Sequence, residues 1–275
     1  MQHCPREHAT FLRPRGLAGV EALHATFLSH RYVPHVHDAW TVAQVLAGAA
    51  CFQLEGRWHI AAAGNVFIIP PGAVHTGESA TAGGYTYRVL YLEPWALRDW
   101  LDHELWSKSE LPVVLRSRQL SRALSAFHAV LLQHQVLLEQ GEVLASASRK
   151  LYAAVRQTTV DPQPSRGPHP AVQSARGYIH DRWQEDFTLG ELASAVGMSP
   201  FHLVRTFRSQ VGVTPSAYRR AVRVKAAQRL LRSGVPPAQA ALDAGFYDQA
   251  HLNRHFKRAT GVTPGQYATA HAGPR

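Results

Sequence analysis

The chain has 275 residues, 45% of them hydrophobic, which is enough for two domains of ordinary size with proper cores and predicts a folded, soluble protein. No apolar run approaches the ~18 residues needed to cross a bilayer, and the first residues, MQHCPREHATFLRPRG, carry charges where a signal peptide needs an apolar stretch, so a cytoplasmic protein without membrane partners is expected. The formal charge of +10 is unevenly placed: residues 1–171 hold 15 Lys and Arg against 13 Asp and Glu, whereas residues 172–275 hold 14 against 6. A basic C-terminal part suggests a polyanionic partner, and a near-neutral N-terminal part suggests a different task. Cys4 and Cys51 are the only cysteines; they lack metal-type spacing and read as free thiols.

Residues 31–92 read as strands. TVAQVLAG, ACFQLEGRWHIA, NVFIIPPG and YTYRVLYLEP are short β-branched or aromatic runs punctuated by Gly and Pro, a spacing that implies a sandwich or barrel. From Pro94 the texture turns helical. RQLSRALSAFHAVLLQHQVLLEQ puts Leu120, Leu124, Phe127, Leu131 and Val136 or Leu138 on one side, and after Gly141 EVLASASRKLYAAVRQ completes a predicted helical hairpin. That hairpin suits either pairing with a second copy or docking on its own barrel. Pro162, Pro164, Pro168 and Pro170 then crowd around Gly167 in a segment that cannot continue a helix and reads as a linker. Helices are expected at about 173–184, 188–196, 200–211, 215–233, 237–244, 248–260 and 264–270. The division is therefore 1–95 β domain, 96–158 hairpin, 159–171 linker and 172–275 all-α domain.

The all-α part repeats itself. FHLVRTFRSQVGVTPSAY returns as AHLNRHFKRATGVTPGQY with His202 over His251, Leu203 over Leu252, Arg205 over Arg254, Phe207 over Phe256, and Gly212-Val213-Thr214-Pro215 over Gly261-Val262-Thr263-Pro264. Two copies are too few for a solenoid, so a duplicated small module is the better reading. In each copy a helix ends at a glycine (Gly197, Gly245), a turn follows, and Ser199 or Asp248 is placed to cap the next helix, which is the layout of a helix-turn-helix. The second turn is one residue longer. At 100° per residue, Leu203 and Phe207 face inward while Phe201, Arg205 and Arg208 face outward with Val204 at the edge. In the second copy Ala250, Arg254 and Lys257 face outward with Asn253 beside them, and Gln249 stands at the N-terminal end, where a recognition helix usually reaches base edges. Arg bonds guanine at O6 and N7, and Gln or Asn bonds adenine at N6 and N7, so these are suitable chemical types.

Residues about 172–268 thus resemble the DNA-binding domain of AraC/XylS-family transcription regulators, with GFYDQAHLNRHFKRATGVTPGQY as the matching signature. The resemblance implies that helices 200–211 and 248–260 enter successive major-groove segments of double-stranded promoter DNA. Arg219, Arg220, Arg223 and Lys225 of the connecting helix are expected near phosphates. A homodimer supported by the hairpin, acting with RNA polymerase, is expected. Val204 holds a base-facing position that is often polar in this family.

In the first domain, GNVFIIPPGAVH fits the cupin pattern through Gly64, Pro70, Gly72 and His75, and PHVHDAW supplies His35 and His37 on one strand face. Together they resemble a cupin barrel similar to the sensor domain of these regulators. The acidic residue that follows His-x-His in metal-binding cupins is replaced by Thr41. Three readings stay open: a three-His site suited to Zn, Ni or Fe, a pocket for an organic ligand, or a retained structural cluster. The organic effector pocket is the favoured reading, with His35, His37, Trp40, His75 and Tyr87 as lining residues and Asp38 and Tyr91 as additions. No metal, cofactor or catalytic residue is expected. The sequence therefore predicts an effector-responsive transcription factor, with a cupin metalloenzyme (oxygenase or isomerase) fused to a DNA-binding domain as the alternative.

Overall fold

The computed structural model describes residues 7–13, 17–96, 112–132, parts of 142–154, and 169–271. Cys4 and most of the predicted linker lie outside them; Cys51 is a free thiol. Nine strands are seen among the described residues: β1 (His8–Leu12), β2 (Val20–Phe27), β3 (Tyr32–His35), β4 (Trp40–Leu54), β5 (Arg57–Ala62), β6 (Val66–Ile69), β7 (His75–Ser79), β8 (Tyr85–Leu92) and β9 (Val114–Leu115). All pairings are antiparallel. One sheet runs β1-β2-β8-β4-β6-β9, and a second joins β3, β7, β4 and β5. The 15-residue β4 belongs to both, so the cupin-like unit is an open sandwich rather than a closed barrel.

Period-2 alternation divides its core. Leu23, Ala43, Val45, Phe67, Tyr87 and Val89 face between the sheets. Trp40, Val42, Ile68, Leu90 and Leu92 face the other way. That outer layer is covered by helix α1 (Arg118–Leu132), whose Leu120, Leu124, Phe127 and Leu131 are all buried against it. Gln44 fixes α1 in place by donating to the Ser121 carbonyl at 2.9 Å. The described part of the predicted apolar stripe thus docks on its own sandwich, Val136 and Leu138 lying outside the described residues, and Leu151 and Ala154 from the second half of the hairpin join the same core.

The helical domain contains α2 (Pro170–Asp181), α3 (Leu189–Ala195), α4 (Pro200–Val211), α5 (Pro215–Arg232), α6 (Pro237–Asp243), α7 (Gln249–Thr260) and α8 (Pro264–His271). The repeat is structural as well as textual. Gly212 and Gly261 end α4 and α7 in the left-handed conformation, with φ of 84° and 82°, which glycine adopts without a Cβ clash. Edge-on ring pairs recur, with Phe207 5.5 Å from Tyr218 and Phe256 5.4 Å from Tyr267. Ser199 accepts from the His202 N–H and Asp248 from the His251 N–H, satisfying donors that helix starts leave free.

The sandwich packs on both repeats. Val36 and Val74 enter the core of the first, and Ala9, Phe11 and Val33 pack against the second. The Gly56 turn sits so close to the end of α4 that a Cβ on Gly212 would lie 2.6 Å from the Gly56 nitrogen.

Candidate functional site

Two surfaces and one cavity carry the chemistry. On α4, Phe201, Arg205 and Arg208 are exposed and Val204 is half-buried; on α7, Gln249, Ala250, Arg254 and Lys257 are exposed and Asn253 is half-buried. Leu203, Phe207, Leu252 and Phe256 are fully buried beneath them, so the outward faces derived from helical period are outward in the fold. The extra residue of the second turn is Tyr247, 87% exposed beside the start of α7, whereas Phe246 fills the core place. The longer turn was visible in the sequence, but which residue it pushes outward was not.

The connecting helix needs correction. Arg223 donates to the carbonyls of Trp183, Gln184 and Glu185 and to Asp186, and lies where a Cβ on Gly245 would be 2.8 Å from its Nε. Arg219 donates to the Phe187 carbonyl and to Asp186 and covers the Phe187 ring. These two guanidiniums tie the 183–187 loop to α5, so they are internal braces rather than phosphate contacts. Lys225 is buried and pairs with Asp38 of the sandwich. Of the four expected phosphate contacts, only Arg220 is exposed.

Within the sandwich, Tyr32, His35, His37, Thr41, Phe52, Phe67, His75, Tyr87 and Tyr91 are among the residues lining a cavity of about 40 Å³. His35 and His75 lie opposite each other on β3 and β7, with ring centroids 4.0 Å apart, and His37 follows at 4.9 Å and 5.0 Å from them. Each of the three offers a ring nitrogen within 4.8 Å of the others. Burial holds all three well toward the neutral form: it takes His75 to about 4, and for His35 and His37 the neighbouring rings add to it. Tyr32 and Tyr87 share a hydrogen bond of 2.7 Å, and burial raises both phenols.

The expected lining is met by His35, His37, His75, Tyr87 and Tyr91, and missed by two residues. Trp40 points to the α1 side because β4 alternates and its neighbour Thr41 takes the inner face. Asp38 lies outside the cavity, against Lys225 and Arg229. Thr41 and Tyr32 are among the lining residues that sequence reasoning did not assign, as are Phe52 and Phe67; inner-face parity on β4 was the available signal for Thr41. A cleft between the domains, lined by Glu21, Asp38, Glu93, Lys225, Arg232 and Tyr267 among others, shares His37 and Tyr91 with this cavity.

A sandwich with an internal cavity whose apolar wall carries histidines and tyrosines, set on a pair of helix-turn-helix units with exposed basic faces, defines a DNA-binding protein that carries a ligand-binding module. Comparisons with known proteins agree. The AraC-like ligand binding domain matches residues 17–150, and a helix-turn-helix domain matches residues 192–270. The HTH-type transcriptional regulator YbfI of Bacillus subtilis (strain 168) is 27% identical over 240 residues, covering 85% of this chain and 86% of that protein. The arabinose operon regulatory protein of Escherichia coli (strain K12) is 24% identical over 242 residues, covering 81% and 77%. In fold, the chain is similar to ToxT from Vibrio cholerae in its unsaturated fatty acid-bound form, with a TM-score of 0.55 at 13% identity, covering 98% of this chain and 99% of that one. The chain belongs to the AraC family of transcription regulators.

Proposed function

We propose that this regulator recognises promoter DNA through Phe201, Val204, Arg205 and Arg208 of α4 and Gln249, Ala250, Asn253, Arg254 and Lys257 of α7, and that a small effector in the sandwich cavity sets its activity. The observation that carries the reading is the duplicated helix face: two units with matching caps, glycine exits and buried Leu/Phe pairs present Arg205 and Arg254 at equivalent exposed positions. Phosphate contacts supply salt-dependent affinity, and the side chains at base edges supply sequence choice. The shared His37 and Tyr91 put the cavity against the cleft where Lys225 and Arg232 reach the sandwich, so a ligand has a short route to the domain contact.

The chain is proposed to act in the cytoplasm as a homodimer working with RNA polymerase, and not as an enzyme. Arg205 and Arg254 on duplicated units favour this over a cupin oxygenase or isomerase, which needs no duplicated basic face. Genome-wide mapping of bound sites, with transcription of the adjoining genes followed in the wild type and in an Arg205→Ala/Arg254→Ala variant, tests it. Discrete sites that vanish in the variant support the reading; occupancy that stays unchanged sinks it.

A further inference from the structure

We infer that the free edge of β5 is the surface through which two copies of this chain pair. The two β5 strands run antiparallel across a two-fold axis at His59, with Trp58 opposite Ile60 of the partner subunit. This names the interface of the proposed homodimer and rests on that reading.

Three observations carry it. First, exposed apolar surface is gathered there. Trp58 and Ile60 are 60% and 62% exposed and lie two residues apart, on one face of one strand. Second, the edge beside them is open. The Ala63 N–H donates to the Gly48 carbonyl, and the β4–β5 ladder alternates from that pair, so Arg57, His59 and Ala61 bond to β4. The N–H and C=O groups of Trp58 and Ile60 therefore point away from β4. Among the described residues no strand pairs with β5 on that side; β9, which comes near, pairs with β6. Natural proteins blunt such an edge with Pro, bulges or charges. RWHIAA has one charge, at its start, no Pro, and an unbroken register with β4.

Third, the edge complements itself. Opposite residues of an antiparallel pair share a face, and at alternate positions they exchange both backbone bonds. Centred on His59, the pairing uses every N–H and C=O that Trp58 and Ile60 leave free. It also sets an aromatic against a β-branched side chain on each side of the axis, a favourable cross-strand pair. Arg57 meets Ala61 of the partner subunit, so no like charges oppose each other. His59 meets its own copy, and burial, with Arg57 adding, holds that ring below its ordinary pKa, so the pair is neutral at pH 7. A two-fold axis is the symmetry such an isologous contact requires. The apolar residues of α1, the other surface suited to pairing, are already buried against their own sandwich.

The test is sedimentation equilibrium of the full chain over a dilution series. The wild type is expected to dimerise. Trp58→Thr/Ile60→Pro should raise the dissociation constant by roughly thirtyfold or more, the effect of losing a central apolar anchor. Ile60→Pro spares the ladder to β4, because the Ile60 N–H points away from it. Leu242→Thr, at an exposed apolar residue elsewhere, should leave the constant unchanged. A wild type that is monomeric throughout, or a dimer equally stable in the double variant, overturns the proposal. Should the double variant fail to fold, His59→Cys in a Cys4→Ser/Cys51→Ser background decides. Directly opposite residues at such a position have Cα atoms about 4.5 Å apart, within disulfide reach, so mild oxidation should give a covalent dimer. Failure to cross-link overturns the interface. A monomeric wild type that still occupies discrete operators overturns it too, while keeping the reading of the chain as a DNA-binding regulator.

Discussion

Arg205 and Arg254 stand at equivalent places in the two repeats, each exposed two residues after a fully buried leucine. Their neighbours differ. Val204 has no hydrogen-bonding side-chain group, whereas the Asn253 side chain is of the type that can bond an adenine edge at N6 and N7, so on the proposed function the second repeat should discriminate more sharply. Arg254→Ala is expected to cost about 1–3 kcal/mol on the true operator and to relax specificity at one base position. Binding measured on a set of single-base operator variants checks this, and a uniform loss on every sequence would instead make Arg254 a phosphate contact. A second residue-scale effect lies in the sandwich. His128 is 2% exposed on α1, and burial, with Arg88 and His24 adding, lowers its pKa to about 3. The folded ring is neutral while the unfolded ring takes a proton near the ordinary value of about 6.5. The stability it contributes is therefore complete above about pH 6.5 and is lost as pH falls toward 3. His128→Gln should flatten that decline by up to roughly 1.4 kcal/mol per pH unit. Urea midpoints measured from pH 7 to 4 would show it; parallel curves for wild type and variant would refute it.

At the scale of elements, α7 has 12 residues, about the length at which an isolated helix is marginal in water, so its ends matter. Asp248 supplies the cap at the end that carries Gln249 and Ala250. Asp248→Ala should cost about 1 kcal/mol, fray the first turn and weaken operator binding, while leaving α4 intact. Amide exchange that accelerates at 249–252 and not at 201–203 is the expected signature; equal protection in both would contradict it. These caps were legible in the sequence because capping depends on residues within one turn, and the same holds for the Leu/Phe stripes and the glycine exits. The roles of Trp40, Asp38, Arg223 and Lys225 were not. Strand composition does not say which face of β4 meets which layer, and a basic helix reads alike whether its arginines meet phosphates or the carbonyls of residues 183–187. The three histidines were legible as a set from two local motifs; the buried Thr41 hydroxyl beside them, without a hydrogen-bond partner among the described residues, needed the fold.

At the scale of the whole molecule, the two domains are joined by partly buried ion pairs. Glu21 Oε1 lies 3.2 Å from Arg232 Nη1 and 3.0 Å from His271 Nε2, and Glu93 Oε1 lies 3.4 Å from the same Arg232 atom. Asp38 meets Lys225 and, at 3.6 Å, Arg229. Burial pushes the Glu21 carboxyl up, but His271 and Arg232 outweigh it and hold it below its usual value. The Glu21 and Arg232 side chains are only 13% and 25% exposed, so this pair is worth more than a surface salt bridge, and leaving one partner alone is costly. A response that passes between the domains needs an element with two arrangements, and this clasp lies beside the cleft that shares His37 and Tyr91 with the cavity. Arg232→Met should therefore lower the thermal stability of the whole chain, split unfolding toward two transitions and blunt the ligand response. It should leave operator affinity within a few-fold, because neither recognition face includes Arg232. The reversed pair Glu21→Arg/Arg232→Glu should recover part of the loss, with a coupling energy of about 0.5–3 kcal/mol in a double-mutant cycle. Calorimetry and a promoter reporter, run on the single and double variants, decide. A ligand response that survives intact in Arg232→Met would mean that the signal leaves the sandwich by another surface.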